Sequence, residues 1–312
     1  MSQAPFAIRP DITAVAVAYK NGAMIADQVL PRIPVGSQQF EYTKYPASEY
    51  FTLPETRVGR KSAPNQVEFS GSRTPDVTVD HALDDAIPLA DIENARNQPG
   101  VPDPELRAGS ALSKLIVLAR EKRAADLVFD PNQYGAGNKV TLSGTSQWSD
   151  YVNSNPQSAV MDALDVMIMR ANIGIFGRAG WTKFSQHPKI CKAVFGNNTD
   201  AGIVTRRQVA DLLELDDILV GEGWVNTAKK GQPANLVRVW GKHAAFLCRD
   251  IDADVDGMTT FGFTAQWGGR VGSTYFDPKV GMRGGNVVRV GESVKELVTA
   301  NDLGYFFQNI VA

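Results

Sequence analysis

The chain has 312 residues, 43% of them hydrophobic, enough for a substantial core in one large domain or two interleaved ones. Its 32 lysines and arginines against 34 acids leave a formal charge of −2, so no basic excess exists to grip nucleic-acid phosphates. Cys191 and Cys248 belong to no CxxC pair and read as buried thiols in a reducing compartment; no basic-then-apolar start marks a secretory leader, and no apolar run is long enough to span a bilayer.

Residues 11–30 are moderately apolar, broken at Asn21-Gly22, and Pro31 and Pro34 stiffen the exit. Such an N-terminal arm (1–36) suits docking on a neighbour or packing on its own domain. Residues 37–80 read as an extended two-stranded loop. The stretch Phe40 to Tyr45 alternates as a strand does, as does Asp76 to Asp80, and the basic, turn-rich run from Arg57 to Asn65 lies between them. A hairpin of this kind is marginal alone in water, and almost no core is visible between Pro31 and Pro102. Its cover is therefore expected from another copy of the chain. The contact candidates are the aromatics Phe40, Tyr42, Tyr45, Tyr50, Phe51 and Phe69 with the cations Arg57, Arg60 and Lys61.

Asp103-Pro104-Glu105 is a strong helix start, combining a capping oxygen, a proline suited to the first turn and an acid at the positive end of the dipole. The helix is predicted over about 104–128, stopping at Asp130-Pro131. Its apolar stripe holds Ala108, Ala111, Leu112, Leu115, Ile116, Ala119, Leu127 and Val128, with Lys114, Glu121, Lys122 and Asp126 off it. At 1.5 Å per residue it would be roughly 37 Å long, a structural spine.

A Gly/Ser/Asn-rich connection (135–154) leads to a second helix after Asn155-Pro156, with apolar positions continuing to Ala171. A short buried strand follows at 172–177, then a helical patch from Trp181 to Phe195 broken at His187-Pro188. A third helix opens at Thr205 with a capping box to Gln208; strands are predicted at 218–221 and 237–247. From Asp250 the chain is glycine-rich and strand-like again. The pattern is α+β, with β-rich segments flanking a mixed centre.

Catalytic motifs are sparse. Asp252, Asp254 and Asp256 before Gly257 match the front of a calcium loop, but position twelve is Phe263 rather than a bidentate glutamate, so an exposed acidic turn is the better reading. His81, His187 and His243 are widely spaced and fit no zinc pattern. No cofactor is expected.

The order of these stretches resembles the major capsid proteins of tailed bacteriophages, with the Hong Kong 97-type fold, in a Mu-like and related subgroup. The resemblance is carried by Ile25 to Pro31 with Ile33-Pro34-Val35, Tyr42 to Phe51, Asp80 to Pro88, Leu115 to Val128, Phe184 to Pro188, Ala210 to Leu213 with Val220-Gly221, and Val239 to Lys242. It implies an N-terminal arm (1–36), an extended loop (37–80) lying over a neighbour, a peripheral domain (81–154 and 250–293) built on the spine helix, and an axial domain (155–249 and 294–312). It further implies a non-enzymatic subunit. Copies of it would assemble in the host cytoplasm into pentamers and hexamers of an icosahedral virion shell. That shell would enclose double-stranded DNA without sequence-specific binding and without a membrane. The implied partners are a separate scaffold protein, a portal and a decoration protein. Some members cross-link the loop covalently; Lys44 and Lys61 lie in it here, with no identifiable acceptor, and read as solvated. The same fold would also serve an encapsulin-type cellular compartment. The readings of other classes are an enzyme built on the acidic turn 252–256 and a connector or tail component.

Overall fold

The computed structural model describes residues 11–13, 24–44, 53–66, 72–98, 100, 102–196, 201–229, 231–251 and 259–312. In chain order, helix α1 (Ala26–Val29) leads into β1 (Arg32–Val35), the ribbon strands β2 (Gln39–Lys44) and β3 (Ser72–Val77), and β4 (Val79–Pro88). Helices α2 (Leu89–Asn97) and α3 (Pro104–Val128) follow, then β5 (Lys139–Thr141), α4 (Pro156–Val166), β6 (Ile173–Gly177), α5 (Arg178–Ser185), α6 (Pro188–Phe195) and α7 (Arg206–Leu213). The rest is strand: β7 (Asp217–Gly221), β8 (Trp224–Asn226), β9 (Leu236–Arg238), β10 (Ala244–Leu247), β11 (Gly262–Asp277), β12 (Gly285–Val298) and β13 (Gly304–Gln308).

Two sheets organise the chain. The first has the order β1-β11-β12-β4, with β1 parallel to β11 and the other pairs antiparallel. The second has the order β5-β13-β10-β6-β7, with parallel pairs at both edges. Strand alternation divides the second sheet's side chains between two cores. The row Phe176, Ala244 and Phe307 faces a layer of α4 to α7 side chains that includes Val160, Leu164, Trp181, Phe184, Ile190, Val209 and Leu213. The opposite row, Ile175, Ala245 and Phe306, faces α1 and the C-terminal end of α3 through Val29, Ala124, Ala125 and Val128.

Helix α3 has the predicted bounds, and Asp103 caps it by accepting from the Glu105 N–H at 2.9 Å. Its N-terminal half buries Ala108 and Leu112 against Val288 and Val290 of β12, so one helix roofs both sheets. The buried stripe is rotated from the expected one. Leu115 is 52% exposed, and Ala111 and Ala119 are not part of the core, whereas Arg120 and Glu121 are buried. Glu121 is therefore an interior group rather than one turned to solvent. Ile12, from the N-terminal segment, packs into the α3–β12 core, and Thr13 Oγ1 donates to the Gly272 carbonyl at 2.8 Å. Own-domain packing thus holds at these positions.

Other differences have local causes. The strand predicted over 237–247 is two strands separated by a turn at Gly241, whose φ is +54°. The second helix stops at Val166, while Met167 and Ala171 stay buried in irregular chain. Helix α2 was not anticipated, because its sequence has little apolar periodicity beyond Ile92. Strand β5 and the buried Trp148 lie with the five-stranded sheet although they fall within 81–154, and β12 runs unbroken past position 293.

Candidate assembly surface

The ribbon of β2 and β3 is paired from Gln39↔Val77 to Lys44↔Ser72. Phe40 and Tyr42, two residues apart, share one face of it. They are 8% and 6% exposed, packed against Ile33, Val35, Phe263, Ala265 and Leu297, with Tyr42 edge-on to Phe263 at 6.3 Å. The root of the loop thus has a core of its own, a correction to the expectation that it would have almost none. Burial of these two rings contributes roughly 1.5–3 kcal/mol each. The Thr78 N–H donating to Gln38 O at 2.9 Å closes the root.

Further out the situation reverses. Every residue from 53 to 66 is exposed, Leu53 at 93%. Among the described residues, the hydrogen bonds of this segment are local. Ser62 N–H donates to Gly59 O at 3.0 Å, Arg57 N–H to Glu55 Oε1 at 2.9 Å, and Asn65 Nδ2 to Glu55 O at 2.8 Å. Arg57, Arg60 and Lys61 are exposed, and none forms an ion pair among the described residues. Tyr45, Tyr50, Phe51 and Phe69 lie outside the described residues, as do Asp252, Asp254 and Asp256. No group of three or more side chains suited to a metal ion occurs among the described residues.

A partly buried ionic network ties β1 to β11, β12 and α3. Arg32 on β1 pairs with Asp27 at 2.7 Å and Glu292 at 3.0 Å; Arg270 also reaches Glu292 at 3.0 Å. From α3, Arg120 contacts Asp27, donates to Thr264 Oγ1 at 3.0 Å, and lies 3.8 Å from Glu296, while Arg123 meets Glu296 at 3.0 Å. Burial lowers the Arg120 guanidinium to about 10, opposed by Glu292 and Glu296, so it stays charged at neutral pH. Burial pushes the Glu292 carboxyl up, but Arg32, Arg270 and Arg120 together outweigh it and hold it below its ordinary value. An arrangement of this kind fixes geometry more than it adds net stability.

Beside it, the Glu121 carboxylate accepts from the Ile25 and Ala26 N–H groups at 2.9 and 2.8 Å and from Trp240 Nε1 at 2.5 Å. It caps α1 and ties the N-terminal segment to the five-stranded sheet. Burial raises its carboxyl above the usual range; the donors from Ile25, Trp240 and Ala26 oppose the rise. The signal for Arg120 was present in the sequence. It occupies the four-residue spacing of Ala108, Leu112, Ile116, Ala124 and Val128, in the middle of an apolar row.

His187 is buried in the packing, and His81 and His243 are half-buried. His187 Nδ1 accepts from the Lys189 N–H at 3.2 Å, capping α6, and its Nε2 lies 3.0 Å from Ser154 Oγ. Burial, helped by Lys189, lowers its pKa to about 4. Burial also lowers His243 and, with Arg123, His81.

No protein-family model matches the chain. It is 54% identical over 312 residues to the major capsid protein of Pseudomonas phage JBD67, covering 100% of both sequences. It is 22% identical to the major capsid protein of Burkholderia phage BcepMu, covering 97% of this chain and 96% of that protein. The solved structure of a phage-related protein from Bordetella bronchiseptica RB50 superposes with a TM-score of 0.75 at 22% identity, covering 99% and 98% of the two chains. Further matching structures are capsid shells, which places the fold in the Hong Kong 97 type.

Proposed function

The chain belongs to the major capsid proteins of tailed phages, structural subunits of the virion shell, and on that premise we propose how its parts serve assembly. The loop 37–80 lies over a neighbouring copy, which Arg57, Arg60 and Lys61 meet together with Tyr45, Tyr50, Phe51 and Phe69. Phe40 and Tyr42 act at the root, where they set the ribbon's direction. The four-stranded sheet with α3 is the peripheral domain. The five-stranded sheet with α4 to α7 is the axial domain, whose copies gather into pentamers and hexamers. Residues 134–154 and 299–312 go with the latter. A separate scaffold protein, a portal and a decoration protein complete the particle, DNA is enclosed without sequence recognition, and the subunit performs no catalysis. An encapsulin-type role is disfavoured by 54% identity to a phage capsid protein over the full length.

The observation that carries this reading is the contrast within one loop: a buried, aromatic root and an exposed segment 53–66 whose hydrogen bonds among the described residues are local. Such a segment gains cover only from another molecule. Deleting residues 57–66 tests it. The expected product is a folded subunit with an unchanged melting temperature that forms no closed shells in negative-stain micrographs. Normal particles from the deletion would remove the role given to the loop.

A further inference from the structure

The hairpin that joins β11 to β12 ends in Met282, 92% exposed, between the exposed cations Lys279 and Arg283. The tip is stiff. Lys279 N–H donates to Asp277 Oδ1 at 2.9 Å, and the Phe276 ring packs under Gly284 so closely that a Cβ there would fall 2.3 Å from Cζ. Val280 packs against Gly285, and Met282 is the most exposed apolar side chain of the tip, beyond the partly exposed Phe276. Neither Lys279 nor Arg283 forms an ion pair among the described residues.

At the same end of the molecule, where Gly285 pairs with Pro88 and Leu89 N–H donates to Gly284 O, a groove of about 480 Å³ opens between β4, α2 and α3. It is lined by the apolar Ile87, Ala95, Pro104 and Ala108, by the polar Asn94 and Gln98, by one cation, Arg107, and by two acids, Asp85 and Asp91, which have no ion-pair partner among the described residues. A chain's own Met282 is too exposed to be filling it.

We propose that the tip of one copy seats in this groove of a second copy, with Met282 on its apolar lining and Lys279 and Arg283 against Asp85 and Asp91. The inference rests on the shell reading above and names a contact separate from the extended loop. An outward apolar anchor flanked by two cations, and a partly apolar socket whose two acids outnumber its one cation, give each chain a donor and an acceptor surface. Those are the two unlike patches that a head-to-tail ring contact requires. Methionine suits the role because its unbranched thioether adapts to the socket's shape.

The test uses the full chain in particle assembly. Reversing the tip charges (Lys279→Glu with Arg283→Glu) should lower particle yield by roughly tenfold, the effect of a modest loss of affinity at each contact. The melting temperature of the unassembled subunit should be unchanged. Adding Asp85→Lys and Asp91→Lys to that variant should restore assembly. Independently, Met282→Cys with Ala95→Cys should give disulfide-linked oligomers in particles and none in unassembled subunits. Wild-type yield from the tip reversal, no recovery in the fourfold variant, or intact particles in which both introduced thiols remain free to maleimide would each overturn the proposal. If the unaltered chain forms no particles even when expressed together with the scaffold protein proposed above, it is the shell reading that fails.

Discussion

The acid stability of the unassembled subunit should hinge on His187. Its ring is buried, accepts the Lys189 N–H through Nδ1 and faces Ser154 Oγ through Nε2, so the fold requires the neutral form with its proton on Nε2. With a folded-state pKa of about 4 against 6.5 for the free side chain, the unfolded chain binds the proton more readily across that interval. Stability contributed by neutral His187 is therefore complete above about pH 6.5 and lost as pH falls toward 4. At ~1.4 kcal/mol per pKa unit the total is about 3 kcal/mol, a large share of the margin of a typical domain. Urea denaturation of the subunit from pH 8 to pH 4 measures it, beside His187→Asn, which keeps a capping oxygen at the head of α6 but no titrating group. The variant starts lower because of the cavity left by the smaller side chain, and that offset does not change with pH. Its pH dependence should be shallower than wild type by most of that 3 kcal/mol. Parallel curves for the two proteins would show that His187 does not titrate in this window, and the argument from its geometry would fall.

Two further outcomes follow from the interior. Glu292→Gln removes the buried carboxylate that the half-buried Arg32 and Arg270 share at 3.0 Å, leaving Arg32 only Asp27 as an ion-pair partner among the described residues. The expected cost is about 3 kcal/mol in urea denaturation, against near zero for the exposed Glu55→Gln. Gly221→Ala would place a Cβ 2.0 Å from the Trp240 indole. The ring must shift off Glu121, for a loss of about 2 kcal/mol or more and a changed near-ultraviolet circular dichroism; an unchanged spectrum with wild-type stability would contradict the packing described.

Local signals carried much of the fold. Asp103-Pro104-Glu105 and Asp130-Pro131 bound α3 because caps and prolines act within a few residues, and Thr205 with Gln208 forms the capping box at α7. The apolar run 173–177 is a central strand buried on both faces. Long-range choices were not legible. Whether 237–247 is one strand or two depends on Gly241 and on where the Trp240 ring goes, which only the assembled sheet decides. That Glu121 is interior depends on donors from Ile25, Ala26 and Trp240, far apart in sequence. At the candidate assembly surface, the exposure of residues 53–66 was legible from their polar, turn-rich composition. The covered root was not, because the residues over Phe40 and Tyr42 come mainly from β11 and β12, more than two hundred residues later.

If the loop reaches a neighbouring copy as proposed, the aromatic root has a consequence for how quickly and tightly subunits join. A limb whose shoulder is locked by its own torso already points somewhere before any companion arrives. The orientational search of docking is then confined to the outer segment, and less freedom remains to be surrendered at the moment of contact. Loosening that shoulder, for instance by Phe40→Ala, would leave the outward-facing chemistry intact yet slow the growth of particles.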